Sequence, residues 1–134
     1  MSGASTSTAG VLLITVAAVE YGGASLLRFI HGRAPGYLDN PVRQNLFRAG
    51  HAHAGVLVIL ALVAMVYVDQ SGLSGGAKGL VRLAFVGPPV LMPLGFFLSV
   101  ASPRAERPNR LIALTWLGAV LLAAGVVTLG ISLL

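Results

Sequence analysis

The sequence predicts an all-α integral membrane protein, a bundle of four transmembrane helices, and three observations predict it. The chain has 134 residues, 56% of them hydrophobic and only 10% charged, against about 25% charged in an ordinary soluble domain. Nine Lys and Arg with four Asp and Glu cannot cover the surface of a water-soluble monomer. Four apolar stretches each approach the ~20 residues that a helix needs to cross a bilayer. Hydrocarbon offers the backbone no hydrogen-bond partners, so such stretches must be helical. With their connectors they use up residues 1–134 as one domain, which leaves no room for a soluble catalytic or ligand-binding unit.

Taken in order, Met1 to Gly10 is rich in Ser, Thr and Gly and carries no Lys or Arg. It lacks the basic start of a secretory signal, so the first span, Gly10 to Ile30, is expected to be retained. Glu20 and Tyr21 fall near its middle, where an ionisable group is costly and is a functional hypothesis by default. One reading keeps the carboxyl protonated against a neighbouring hydroxyl; the other makes it proton-coupled or catalytic. The second span, Ala49 to Val68, opens on the run Arg48-Ala49-Gly50-His51-Ala52-His53-Ala54-Gly55. The third, Leu80 to Val100, holds Gly87, Pro88, Pro89 and Pro93 at its centre. Each proline removes an N–H and displaces the carbonyl four residues earlier, giving either a tolerated kink or a helix opened beside a ligand cavity. The fourth, Leu111 to Leu134, offers Gly118, Ala119, Ala123, Ala124 and Gly125 for close helix contact.

Lys and Arg favour the cytoplasmic side of a membrane protein. Arg28, Arg33, Arg43 and Arg48 flank the first connector and Arg104, Arg107 and Arg110 lie in the third, whereas the opposite side has only Lys78 and Arg82. Loops one and three are therefore expected in the cytoplasm and both termini outside, in the inner membrane if the cell is bacterial. The formal charge of +5 belongs to this topology and to anionic headgroups, and no nucleic-acid partner is expected. The absence of cysteine removes disulfides, thiolate metal sites and cysteine nucleophiles.

His51 and His53 stand about 200° apart on a helix of 3.6 residues per turn, so they cannot ligate one metal from the same face. One can face the bundle and the other loop groups or a neighbouring subunit; both can instead bond loop carbonyls or headgroups near the interface. Neutral imidazole suits iron, copper or zinc. An all-protein zinc or copper centre within one chain is a poor fit, because no other histidine lies in a span. Haem supplies four ligands of its own and needs one axial histidine. The small residues around the pair, Gly55 among them, let a flat cofactor lie close to the backbone.

Four pieces in order resemble the styrene oxide isomerases, small four-helix membrane proteins. Pro35-Gly36-Tyr37 matches a Pro-Gly-Tyr of the family's first loop, and Ala52-His53-Ala54-Gly55 resembles its Ala-His-x-Gly at the start of helix two. Gly95-Phe96-Phe97-Leu98 is similar to its Gly-Phe-Tyr-Leu in helix three, and Ser102-Pro103 to the Ser-Pro that follows. The resemblance implies a homotrimer with haem b at the subunit interfaces and His53 as the axial iron ligand. It implies ferric iron acting as a Lewis acid on the oxygen of a hydrophobic epoxide, which opens to a benzylic cation and yields an aldehyde by a 1,2-hydride shift. Two positions depart: the family's active-site tyrosine is Phe97 here, and an asparagine six residues after the axial histidine is Ile59. Tyr21 or Glu20 is the available replacement polar group, and His51, which the family does not keep, is a rival ligand or a partner for a haem carboxylate.

Other functional classes share the composition. A haem protein without isomerase activity would serve electron transfer, haem handling or gas sensing. A small proton-coupled exporter would use Glu20, since the small multidrug resistance transporters place a glutamate in helix one. An accessory subunit of a larger respiratory complex would have no chemistry of its own.

Overall fold

The computed structural model describes residues 1–134. Its elements are α1 (Gly3–His31), α2 (Pro41–Gln70), α3 (Gly75–Val86), α4 (Pro88–Ser99), a 3₁₀ turn at Arg110–Ile112 and α5 (Ala113–Ser132). The fold is all-helical, and four helical segments are long and apolar enough to cross a membrane, α3 and α4 together making the third.

Capping residues set the helix ends beyond the apolar stretches. The Ser2 hydroxyl accepts from the Ser5 N–H and opens α1 seven residues ahead of the expected Gly10. Asn40 accepts from the Arg43 N–H, and Pro41 at the first helical position supplies a preset φ. α2 therefore begins eight residues before Ala49, and its first two turns carry the polar residues that read as a loop. Ser74 caps α3 and Asn109 caps the turn before α5 in the same way. At 1.5 Å per residue α1 and α2 are each about 45 Å long, well beyond a hydrocarbon core of about 30 Å.

The third span is broken into two twelve-residue helices at Gly87. Pro88 starts α4, and the prolines remove the N–H groups that would have bonded the carbonyls of Ala84, Phe85 and Pro89. The Gly87 N–H still reaches the Leu83 carbonyl at 2.9 Å, so the two helices remain in register as one membrane-crossing unit.

α2 is the central helix, packed against α1, α3 and α4, while α5 closes on α3 and α4. The contact of α5 is close because Gly118 and Gly125 are buried in it. A Cβ on Gly118 would lie 2.5 Å from the Met92 side chain, and one on Gly125 2.8 Å from the Ala84 Cβ. These small residues are used within the chain, whereas Ala123 and Ala124 remain exposed. The hydrophobic core of Leu12, Val58, Met65, Val68, Val81 and Phe85 occupies the half of the bundle where α2 ends. The outer faces of α1 and α5 are large and apolar, as with Ile14 and Trp116, both more than 70% exposed. Patches of this extent suit lipid or another protein surface.

Candidate functional site

The four sequence pieces that carry the resemblance gather at the opposite half, where α2 begins. Loop one meets loop three: Gly36, at φ +68°, lies under Pro103, and a Cβ there would stand 2.5 Å from the Pro103 carbonyl oxygen. Asn40 Nδ2 donates to the carbonyls of Pro103 and Ala105 at 3.2 and 2.9 Å. Arg43 donates to the carbonyls of Val100 and Gly36 at 3.2 and 3.0 Å, and its guanidinium lies 4.8 Å from the Phe47 ring centre. Tyr37 is buried beneath this seam among Phe29 and Phe47.

Next comes the contact of α2 with α4. Gly50 is buried because Phe96 and Phe97 lean on it; a Cβ would meet both within 3.1 Å. Phe97 stacks edge-on against Phe47 with ring centres 5.3 Å apart, and Phe96 lies 5.0 Å from the imidazole of His53. Gly50 thus lets α4 bring its two phenylalanines to the start of the second span.

The two histidines point apart, as their angular spacing requires. His53 is half-buried on the Phe96 side of α2, with Nδ1 2.8 Å from the Ala49 carbonyl oxygen. A carbonyl can only accept, so Nδ1 carries a proton, and in the neutral ring Nε2 then holds the lone pair. A shallow apolar depression of about 150 Å³, walled by Ala52, Val56 and Leu57, borders the ring. His51 faces α1 instead, where Gly22 and Gly23 leave space for it: a Cβ on Gly23 would be 3.1 Å from the imidazole. His51 lines two cavities. One, of about 240 Å³, is apolar and lies beside the proline break, walled also by Thr15, Pro89, Pro93 and Phe97. The other, of about 590 Å³, lies between α1 and α2.

Set against family models, curated proteins and solved structures, the chain matches none. What the site can do is therefore argued from its own residues. No three His, Cys, Asp or Glu side chains converge to hold a bare metal ion. A group bringing its own in-plane ligands asks the chain for one donor, and His53 Nε2 is available as one. Gly55 faces Val19 of α1 rather than the His53 depression. Of the four pocket candidates, only Phe97 lines a cavity with a histidine. Ile59 is 62% and Tyr21 67% exposed on outer faces, and Glu20 is exposed on α1 with no hydrogen bond or ion pair within the chain.

Sequence reasoning missed two polar assemblies. Gln44, Arg48 and His51 stand at i, i+4 and i+7 on α2 and line the larger cavity together; that spacing is a visible signal. At the far end, Asp69 accepts from the Ser2 backbone N–H and hydroxyl, from the Ser5 hydroxyl and from Arg82, the last at 3.1 Å. No local signal joins residues 67 positions apart.

Proposed function

We propose that this chain is a haem-b-binding, multi-pass membrane protein of the styrene oxide isomerase type, with His53 as the axial ligand. The observation that carries the reading is the Nδ1–H of His53 held by the Ala49 carbonyl, which fixes the tautomer and offers Nε2 to iron. The donor set fits: one neutral imidazole, half-buried, beside the small side chains of Ala49 and Ala52. The depression at His53 is far smaller than a macrocycle, so a second copy of the chain would supply the opposite wall. The exposed apolar face of α2, with Val56, Leu60 and Val63, is suited to such a homotrimeric contact. Ferric haem, when bound, supplies a Lewis acid toward the oxygen of an apolar epoxide.

The chain's own residues do the rest. The bilayer concentrates a hydrophobic substrate, and the aromatic side chain of Phe96, 5.0 Å from the His53 ring, helps keep water from the iron side of α2. Loops one and three, carrying the arginines, are placed in the cytoplasm and both termini outside. The test is the absorption spectrum of the purified protein, oxidised and dithionite-reduced, before and after haem addition. The expected result is a Soret band lost in His53→Ala and kept in His51→Ala, followed by epoxide-to-aldehyde turnover by the wild type. A wild type that stays colourless after haem addition overturns the reading. Loss of the band in His51→Ala alone would move the ligand to the α1 side.

A further inference from the structure

We infer that the groove between the C-terminal half of α1 and the N-terminal half of α2 is a binding site for an anionic phospholipid, its phosphate seated on Arg48. The groove, of about 590 Å³, has two unlike walls. On α2 the polar stripe of Gln44, Arg48 and His51 lines the groove. On α1, Gly23, Leu27 and Ile30 repeat the same i, i+4, i+7 spacing and form an apolar wall. One polar and one apolar wall, running side by side along two helices, match a headgroup and an acyl chain.

The donors on the polar wall have no work inside the chain. Arg43 spends its guanidinium on backbone carbonyls and the Phe47 ring, but Arg48, five residues further on, makes no hydrogen bond. The chain's single ion pair is Arg82 with Asp69, at the other end of α2. The side chains of Gln44 and His51 are equally without partners. Tyr37 gives an independent observation. It is only 1% exposed and lines the groove, and its hydroxyl has no partner in the chain. Since no fully buried polar atom is left unpaired, the accessible trace of Tyr37 includes that hydroxyl.

The chemistry favours a phosphodiester over a simple carboxylate. Guanidinium, carboxamide and imidazole donors run along about two turns of α2, with the Tyr37 phenol beside them. A phospholipid offers two anionic oxygens and, further along, ester carbonyls as acceptors, whereas a fatty acid presents its two oxygens at one point. Depth agrees, because the groove lies at the arginine-bearing end of helices that overrun the hydrocarbon, where anionic headgroups reside. None of these side chains is the iron ligand proposed above, so this site stands or falls separately.

The test measures retention of dioleoylphosphatidylglycerol, dioleoylphosphatidylcholine and oleate by native mass spectrometry, using the full chain in neutral detergent. Phosphatidylglycerol is expected to bind about tenfold more tightly than phosphatidylcholine or oleate, a difference of about 1.4 kcal/mol. Arg48→Gln should reduce it to the phosphatidylcholine level. Leu27→Trp, which keeps every charge and fills the apolar wall, should do the same. Arg110→Gln, an exposed arginine outside the groove, and His53→Ala should leave binding intact. Equal binding of the two phospholipids overturns the site, as does an Arg110→Gln loss equal to that of Arg48→Gln, which would mean diffuse charge alone. Oleate binding as tight as phosphatidylglycerol overturns the phospholipid assignment, and loss in His53→Ala would make the groove part of the iron site.

Discussion

Where α2 finishes, the bundle is closed by an ion pair and by a core that is aliphatic but for Phe85; where it starts, it is closed by loops and aromatic rings, with the cavities that His51 lines among them. At the first end Asp69 gathers Ser2, Ser5 and Arg82, tying α1, α2 and α3 over a core that includes Met65 and Val68, both fully buried. At the second, Arg43 and Asn40 pin loop one to loop three, and Phe29, Tyr37, Phe47 and Phe97 pack with ring centres 5.3 to 6.2 Å apart. The difference teaches that the two halves are held by different means, and that both histidines and both cavities that His51 lines lie in the half where α2 starts.

That contrast can be broken most severely at Gly125. Its backbone approaches Ala84 so closely that an added Cβ would stand 2.8 Å from the Ala84 Cβ, so α3 and α5 must part to admit a side chain. Gly125→Leu is expected to cost about 3 kcal/mol, read as a lost or strongly lowered unfolding transition in detergent. Met65→Ala comes next. It leaves a void at a fully buried position, at a cost of about 2–3 kcal/mol, and should leave the occupancy of the His53 site unchanged when titrated with haem. A cost near zero would mean that the two halves are packed alike. The smallest stability effect is expected at Gly23→Ala, under about 1 kcal/mol, because the added methyl meets only the movable ring of His51. The same substitution should shift the imidazole resonances of His51 in an NMR spectrum and leave those of His53 in place. A shift at both rings would show the histidines to be coupled through α2.

The number of spans was legible because hydropathy over twenty residues is a strong, local signal. So was the divergence of His51 and His53, which follows from helix geometry alone. Which ring faces α1 was not legible. It depends on Gly22 and Gly23 meeting α2 at that level, and small residues announce a close approach without naming what approaches. The early start of α2 was hidden because Arg43, Gln44 and Arg48 read as loop by polarity, although Asn40-Pro41 is a helix-opening signature. Glu20 and Tyr21 drew attention as polar groups in an apolar span. The fold sets both on an outer face of α1, and hydropathy carries no information about which face of a span turns inward. Tyr37 is the sharpest case. It sits in a polar, Gly- and Pro-bearing connector, yet it is almost fully buried because Gly36 and Pro103 fold the loops over it.

The break at Gly87 bears on how the chain is made as well as on its shape. α3 and α4 have twelve residues each, about 18 Å of helix, so neither crosses the hydrocarbon alone and both must enter the bilayer as one unit. They enter with the carbonyls of Ala84 and Phe85 stripped of their helical partners by Pro88 and Pro89. α5, whose Gly125 lies against Ala84 in the finished bundle, is synthesised last of the elements. During biogenesis the third span is therefore expected to stay uncovered on its Ala84 side until α5 arrives. Truncating translation before residue 113 should leave this span slipping out of the membrane or held by the insertion machinery, while the first two spans integrate on their own.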